Sequence, residues 1–301
     1  MRRITYTIPA ECDGWLVAQV VRQRLGVSER SLRRAKSVDG AFLLDGESVW
    51  SVAVVHQGQQ LAFGISDEEM RRAESVIAPE PGPLDIVYED DDLLVINKPA
   101  GTVVHPSPGH DGGTLANFVM HHLQQRGLVC NIHPVQRLDV GTSGLVVFAT
   151  SGYVHKRLDD MMHSQQFCRE YLAICEGAVP EEGTVDAPWA RLTRAPSTFG
   201  VDPSGKRAVT HFSALKTWAV DERHRSLVRL RLETGRTHQI RIHMAHIGHP
   251  LTGDETYGVA DVRIQRPALH SWRLRLEHPI TGDVLELEAS MPADMQELVR
   301  E

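Results

Sequence analysis

One long apolar run, preceded by polar residues and glycines, stands out in the hydrophobic pattern of the chain. The stretch Pro134–Thr150 reads PVQRLDVGTSGLVVFAT, and its residues from Leu145 to Ala149 are all apolar. A run of this length that is rich in β-branched residues predicts a buried strand. Asp139 is then expected in the loop that enters the strand. Asp139 is either a turn-capping residue or a functional carboxylate, and both interpretations stay open on this pattern alone.

The hydrophobic pattern of Tyr6–Gly64 indicates a small module of its own. Apolar residues recur at helical spacing in Trp15–Leu25, and Ser28 can cap a second, basic helix after it. Two β-like runs follow, and Asp45-Gly46 within the first predicts a hairpin turn. A helix pair with exposed arginines before a hairpin loosely resembles the S4-type RNA-binding domain. The alternative is a structural cap domain whose arginines are only solvated.

Residues 66–83 have the composition of a linker, charged at first and then rich in proline and glycine. We therefore predict two domains, residues 1–80 with the S4-like module and the linker, and residues 81–301. In the second domain, strand patterns outnumber helical patterns and do not alternate regularly with them. This order predicts an α+β fold with a mixed, mostly antiparallel central sheet rather than a doubly wound one.

The second domain supplies most of the predicted elements. The predicted strands are Ile86–Tyr88, Leu93–Ile96, Leu145–Ala149, Arg169–Glu176, Val209–Val220, Ser226–Leu232 and two between Ala268 and Met291. The predicted helices are Thr114–Leu123, Gly152–Met162, the stretch Glu233–His249 after its initial Thr-Gly turn, and the C-terminal segment.

The bulk composition is that of an ordinary globular protein, with 301 residues, 42% of them hydrophobic and 24% charged. No run approaches the roughly 18 apolar residues that a membrane span needs, and the N-terminus lacks the apolar core of a secretion signal. The four cysteines are scattered without metal-type spacing, which predicts reduced thiols in a cytoplasmic protein. We therefore expect no membrane partner.

Positive charge is concentrated in two blocks although the formal net charge is −7. Met1–Lys36 contains eight Lys or Arg against three acidic residues, and Ser204–Arg241 contains nine against three. Binding to a polyanion depends on such local charge rather than on the net charge. The distribution is compatible with a nucleic-acid partner.

Several common kinds of chemistry lack support in the sequence. His238, His243, His246 and His249 fall on one predicted helix, but their spacing does not make an HExxH metal pair, so packing or phosphate contact is favoured over a catalytic metal. Ser143 lies outside any GxSxG nucleophile pattern. Neither GxxxxGK[ST] nor GxGxxG occurs, so no nucleotide cofactor is predicted.

Five segments in order resemble the RluA family of RNA pseudouridine synthases. They are NKPAGTVVHP, RLDVGTSGLVVFA, REYLAICEG, ETGRTHQIRIHMAHIGHPLTGDETYG and ALHSWRLRLEHPITGDVLELEASMPADM, and they span nearly all of Leu84–Met295. With the front module, the chain most resembles the branch that modifies large-subunit ribosomal RNA. The resemblance implies an isomerase that detaches a uracil from its ribose, rotates it and rejoins it through carbon 5, without a metal or an organic cofactor.

The resemblance also assigns roles to individual residues. It makes Asp139 the catalytic aspartate, either by covalent attack or by taking a ribose proton, and Arg241 its ion-pair partner. It makes Arg137 the side chain that fills the place of the extruded base, with a phosphate contact as the alternative. Tyr171 is expected to stack on the base and Leu269 to pack against it, although core positions would look the same in sequence. The expected phosphate contacts are Arg169, Lys206, Arg207 and Arg236.

The chain departs from the family pattern at two places. Gln136 stands where the family usually has His, and Val140-Gly141 replaces a common charged pair. Both Arg137 and Asp139 are kept, so we expect RNA placement or target choice to differ rather than activity. The predicted partner is RNA, ribosomal RNA before transfer RNA, and the protein is expected to be a monomer. A catalytically silent RNA-binding or ribosome-assembly protein on the same fold and a metal hydrolase are the remaining alternatives.

Overall fold

A four-stranded sheet and a ten-stranded sheet organise the chain in the computed structural model. The structure describes residues 2–27, 29–65, 77–107, 109–128, 131–164, 166–194, 197–220 and 222–300. No helix in these ranges is long and apolar enough to cross a lipid bilayer.

The front module is a small antiparallel sheet covered by two helices. Its elements are β1 (Arg2–Thr7), a 3₁₀ turn (Ala10–Cys12), α1 (Val17–Gln23), α2 (Glu29–Ala35), β2 (Phe42–Leu44), β3 (Glu47–Ser48) and β4 (Gln60–Ile65). The sheet order is β1-β4-β2-β3, and α1 packs its valines against Leu61 and Phe63. Asp45 and Gly46 both have positive φ, so the predicted hairpin turn is confirmed. The S4-like character of the module stays a prediction.

Strand β1 was not predicted from the sequence, and the reason is physical. Of the described side chains in β1, Ile4 alone is buried and Tyr6 is half-buried, while Arg3 and Thr5 are exposed. So short an alternation carries little hydrophobic signal. The strand exists because it pairs along its whole length with β4.

In the part of the chain that the structure describes, the large domain consists of the ten-stranded sheet, a separate hairpin and four helices. Its strands are β5 (Ile86–Glu89), β6 (Leu93–Lys98), β7 (His133–Pro134), β8 (Ser143–Ala149), β9 (Phe167–Glu176), β10 (Glu182–Asp186), β11 (Trp189–Arg194), β12 (Ser197–Val201), β13 (Val209–Val220), β14 (Arg223–Leu232), β15 (Leu269–Glu277) and β16 (Val284–Glu288). Its helices are α3 (Leu115–Gln125), α4 (Gly152–His163), α5 (Gln239–His246) and α6 (Ala293–Arg300).

The large sheet has the order β10-β13-β14-β9-β15-β8-β6-β5, with β16 beside β15 and β7 beside β8. Every pairing among these strands is antiparallel except that of β15 with β8. The predicted α+β class with a mixed, mostly antiparallel sheet is confirmed.

Strand β8 lies near the centre of this sheet and is buried at every position. Leu145 and Val147 face the cluster that contains α4, whereas Val146 and Phe148 face the cluster that contains α3. Successive side chains of a strand point to opposite faces, so a strand covered on both faces needs an unbroken apolar run. The run identified in the sequence is therefore explained by helices on both sides.

Two predicted helices are confirmed, and a third is shorter than predicted. Thr114 and Ser151 accept hydrogen bonds from backbone N–H groups in the first turns of α3 and α4. The helix expected within Glu233–His249 begins only at Gln239. The residue before it, His238, has φ of 57°, a left-handed conformation that a helix cannot contain.

Strands β10, β11 and β12 are absent from the sequence-based prediction. Strands β11 and β12 form a separate two-stranded sheet, and Arg191, Leu192 and Thr193 at the centre of β11 are exposed. A two-stranded hairpin with exposed faces shows no strong period in its hydrophobic pattern.

The predicted linker lies mostly outside the described residues. Its described end packs on the large domain: Ile77 is buried in the cluster with α3, and the Gly113 N–H donates to the Glu80 carboxylate at 2.8 Å. The domain boundary after residue 80 stays a prediction.

Candidate active site

A cavity of about 940 Å³ opens between the loop that enters β8, strand β9 and the loop that follows β14. Asp139, Tyr171 and His238 line it together with residues 103–107 and the end of α4. Cavities of this size accommodate small ligands or a single nucleotide. A predicted site residue that lines this cavity can therefore contact the same ligand as the others.

Asp139 lies at the wall of the cavity, and 28% of its side chain is exposed. Its Oδ2 is 3.5 Å from Nη1 of Arg241, so the predicted pair is brought together. The backbone carbonyl of Asp139 accepts a hydrogen bond from the Thr142 N–H at 3.0 Å, which closes the turn before β8. Asp139 is thus held by its backbone while its carboxylate faces the cavity.

Arg241 is itself fixed by a second carboxylate, Asp254. Nε donates to Asp254 Oδ2 at 2.6 Å, and Nη2 donates to Oδ1 at 2.7 Å. Asp254 is completely buried. This two-point bond holds the guanidinium plane in one orientation and leaves Nη1 for Asp139.

Burial alone would lower the pKa of Arg241, but Asp254 and Asp139 together raise it above its ordinary value. The guanidinium therefore keeps its charge beside the cavity. Asp254 is a site residue that the sequence-based prediction missed, although it lies within the motif that contains Arg241. Several acidic residues follow Arg241, and the sequence does not show which of them is buried against it.

Tyr171 lies on β9, lines the cavity and is 5% exposed. Burial raises the pKa of its hydroxyl, so the group keeps its proton. Tyr171 pairs with Ser271 of β15, and β15 lies beside β8. That last pairing depends on Gly144, which has φ of 106° and whose missing Cβ would overlap the Ser271 carbonyl.

The other predicted residues separate into three groups. Arg137, Arg169 and Arg236 line the cavity. Lys206 and Arg207 are exposed outside it, and Arg207 pairs with Glu233 at 2.9 Å. Leu269 is buried in the apolar cluster that includes Tyr171 and is not part of the cavity lining.

Arg169 differs from the other arginines of the cavity because it is 7% exposed. Its Nε has no hydrogen-bond partner, and among the described residues no carboxylate forms an ion pair with it. A Cβ on Gly235 would lie 3.1 Å from its Nη1, so the guanidinium rests against that glycine. A buried cation without a partner is costly, which makes Arg169 a candidate for contact with an anion from outside the protein.

Lys98 is a second residue that the prediction missed, since it lies beyond the predicted strand Leu93–Ile96 but ends β6. It is fully buried, and its ammonium donates to the carbonyls of Pro99, Thr102 and Val140 at 2.9–3.2 Å. Burial is the main reason that the pKa of Lys98 is lowered, to about 8. Lys98 ties the loop after β6 to the residue that follows Asp139.

The histidines of the motif around α5 contact protein atoms. His243 is buried between the Thr210 hydroxyl, at 2.9 Å, and the Ala187 carbonyl, at 3.1 Å. Nδ1 of His249 lies 3.0 Å from the Glu176 carbonyl. These contacts agree with the packing interpretation of both side chains.

The arrangement suits a reaction at a nucleoside. A carboxylate that is oriented by a guanidinium and faces a cavity can attack an electrophilic carbon or take a proton. An aromatic ring in the same cavity can stack on a base.

Comparisons with known proteins point to one family. The sequence profile described as RNA pseudouridylate synthase matches residues 92–246. The uncharacterized RNA pseudouridine synthase YhcT of Bacillus subtilis (strain 168) is 43% identical over 300 residues, which are 99% of this chain and 97% of that protein. The ribosomal large subunit pseudouridine synthase D of Pasteurella multocida (strain Pm70) is 42% identical over 261 residues, covering 82% and 78%. The solved structure of human RNA pseudouridylate synthase domain containing 1 has a TM-score of 0.57 at 25% identity, covering 73% of this chain and 96% of that one.

Proposed function

The chain belongs to the RNA pseudouridylate synthase family, and from this premise we propose that it isomerises uridine to pseudouridine in large-subunit ribosomal RNA. The family makes the protein an isomerase that acts on RNA. The preference for ribosomal RNA is supported by relatives that are named for the large ribosomal subunit. The single observation that carries the mechanism is Asp139 at the cavity wall, beside an arginine that Asp254 holds in place.

Asp139 is the group that acts on the target nucleotide in this proposal. Its carboxylate either attacks the nucleoside covalently or takes a proton from the ribose, and the geometry at 3.5 Å from Arg241 suits both routes. In both routes the carboxylate must be charged and must point into the cavity. Arg241 supplies the charge partner and restricts the orientation.

The target uridine must leave its helix to reach Asp139. Extruding a stacked base costs a few kcal/mol, and a side chain that fills the gap offsets part of that cost. Arg137 is exposed at the cavity, two residues from Asp139, and its planar guanidinium can stack in the vacated place. Tyr171 then lies where the extruded base can stack on its ring.

We assign the phosphates next to the target uridine to Arg169 and Arg236. Both line the cavity, and Arg169 is nearly buried without a carboxylate partner among the described residues. A phosphate at that point would compensate the buried charge. For Lys206 and Arg207, which lie outside the cavity, a phosphate contact requires RNA that extends beyond it.

We also propose that one chain acts alone, without a metal ion, in the cytoplasm. Asp139, Tyr171 and Arg241 all come from the same chain, and covalent attack or proton abstraction by a carboxylate needs no metal ion. Cys12 and Cys175 are free thiols, which supports a reducing compartment.

The test is to incubate chelator-treated, dialysed protein with ribosomal RNA or transfer RNA and to map pseudouridine at nucleotide resolution. We expect wild type to modify a uridine in large-subunit RNA. Asp139→Asn keeps the size of the side chain but removes its charge, so we expect a loss on the order of a thousandfold or more. Asp160→Asn, an exposed carboxylate on α4 outside the cavity, is the matched control.

Each contrary result has a distinct meaning. Equal modification by wild type and Asp139→Asn removes the assignment of Asp139. Modification of transfer RNA alone moves the substrate to transfer RNA. No modification of any RNA by wild type favours a silent RNA-binding protein on this fold.

A further inference from the structure

His238 is held in an unusual backbone conformation beside Asp139. Its φ of 57° and ψ of 19° place it in the left-handed region immediately before α5. Non-glycine residues rarely adopt this conformation, and they do so mainly where the surrounding structure demands it. The result is that Nε2 of His238 lies 3.8 Å from Oδ2 of Asp139.

The opposite side of the imidazole ring faces a hydroxyl that can set its tautomer. Nδ1 of His238 lies 2.9 Å from the Tyr257 hydroxyl oxygen. When that hydroxyl donates its proton to Nδ1, the ring proton of a neutral His238 is on Nε2.

The surroundings of His238 favour its neutral form. Burial is the main reason that its pKa is lowered, Asp139 opposes the effect and Arg241 adds to it. A neutral imidazole has one N–H, and with the proton on Nε2 this N–H is directed at Asp139. The 3.8 Å separation is about 1 Å longer than a hydrogen bond. A small rotation of the partly exposed Asp139 side chain would close it, and such contacts often shorten when substrate binds.

We propose that His238 is a positioning residue for Asp139: as the Nε2–H tautomer set by Tyr257, it donates to the Asp139 carboxylate and, with Arg241, fixes its orientation. The proposal rests on Asp139 as the catalytic carboxylate. It makes the orientation of Asp139 depend on a chain of hydrogen bonds that begins at the Tyr257 hydroxyl. It also explains the left-handed backbone of His238, which places the imidazole ring beside Asp139.

Packing alone is the competing explanation for His238. Its ring meets the rings of Phe199 and Tyr257 edge-on at 5.8 Å and 5.6 Å. If only the backbone and packing mattered, Asn would be the better replacement, because Asn tolerates the left-handed region and Gln does not share that preference. If the Nε2 donor matters, Gln is better, because its amide nitrogen reaches the Nε2 position while that of Asn matches Nδ1.

The experiment compares His238→Gln with His238→Asn under single-turnover conditions, using the RNA that wild type modifies. We expect His238→Asn to slow the chemical step by about ten- to a hundredfold, the size of one hydrogen bond to a charged group, and His238→Gln to keep most of the rate. RNA affinity should be unchanged in both. Asn equal to or faster than Gln would overturn the proposal.

A second measurement does not depend on activity, and its decisive part uses only the wild-type protein. The ¹⁵N chemical shifts of the His238 ring in the wild-type protein distinguish a protonated Nε2 from a protonated Nδ1. We expect protonation at Nε2, and a shift towards a mixture in Tyr257→Phe, which keeps the ring beside Arg241 but loses the hydroxyl. A wild-type ring protonated at Nδ1 would overturn the proposal. Failure of wild type to modify any RNA would instead remove the proposed function and leave this measurement valid.

Discussion

At the scale of single residues, Arg241 divides its donors between two carboxylates of different burial. Asp254 is fully buried and takes two donors, whereas Asp139 is partly exposed and faces the third. The buried partner supplies rigidity, and the exposed partner is available to substrate. Asp254 is therefore expected to contribute to both stability and rate.

We predict that Asp254→Asn lowers both the free energy of unfolding and the rate of uridine isomerisation. Removing one partner of a buried ion pair costs about 3–5 kcal/mol, because the remaining charge is left unpaired. The misoriented Arg241 should also reduce the rate. Urea denaturation and single-turnover kinetics measure the two effects.

The control is Asp294→Asn, which alters a second two-point arginine pair. Asp294 bonds Arg266 at 2.7 Å and 2.8 Å but is 38% exposed. A smaller loss of stability is expected because water reaches this carboxylate. Equal losses in the two variants would contradict the role assigned to the burial of Asp254.

The sequence predicts the residues at the cavity better than it predicts the buried residues that hold them in place. Asp139 and Arg241 were expected together through their motifs, and the structure brings them within 3.5 Å. Asp254 and Lys98 act by being buried against a charged group or against carbonyls. Burial of one particular charged residue is a property of the packed fold, and no local pattern reveals it.

At the scale of elements, the turn between β5 and β6 is joined to the turn between β15 and β16. Oδ2 of Asp90 lies 2.8 Å from Nε2 of His278 and accepts the Tyr88 hydroxyl proton at 2.7 Å. Oδ1 of Asp90 accepts backbone N–H groups from Asp92 and Leu93. One carboxylate therefore connects three parts of the large domain.

We predict that this connection weakens in acid. Burial opposes ionisation of Asp90, but the contacts with His278, Tyr88 and the backbone lower its pKa below the ordinary value of 3.8. A lowered pKa in the folded state stabilises the fold above the ordinary value, and this contribution is lost as the pH falls below it. The free energy of unfolding of wild type should therefore exceed that of Asp90→Asn at about pH 6, and the difference should shrink towards about pH 3. A difference that stays constant across these pH values in urea titrations would contradict the assignment.

Elements with a strong hydrophobic period were predicted, and elements defined by pairing were not. Strand β8 was identified because both of its faces are buried. Strand β1 and the β11–β12 hairpin depend on partners rather than on buried faces, and helix α5 starts late because His238 leaves the helical conformation. Local sequence does not contain this information.

At the scale of the whole molecule, an acidic protein is expected to bind a polyanion through a few local contacts. The net charge is −7, yet Arg137, Arg169 and Arg236 line one cavity. Binding should therefore depend on salt through the number of phosphates that these side chains contact.

We predict that Arg236→Gln reduces the slope of log affinity against log salt by about 0.7–0.9, the value for one phosphate contact. The RNA is a fragment that wild type modifies, and affinity is measured by filter binding over a range of salt. Arg275→Gln is the control, because Arg275 is exposed on β15 and pairs with Glu286 at 3.1 Å. An unchanged slope for Arg236→Gln would show that Arg236 contacts no phosphate.

The class of the fold was predictable, but the order of its strands was not. An irregular succession of strands and helices indicates an α+β sheet. The insertion of β15 between β9 and β8 depends on Gly144, which lets the backbones approach. A close approach between residues so far apart in sequence leaves no trace in either segment.

That inserted strand has a consequence for the timing of biosynthesis. Tyr171 and the Asp139 loop belong to strands that are neighbours only through β15, which closes a loop of 127 residues between Ser143 and His270. Contacts across so long a separation are made late and slowly during folding. The nascent chain cannot hold a complete catalytic centre until β15 has been synthesised, so the Asp139 loop and Tyr171 wait for this later strand before the site can form.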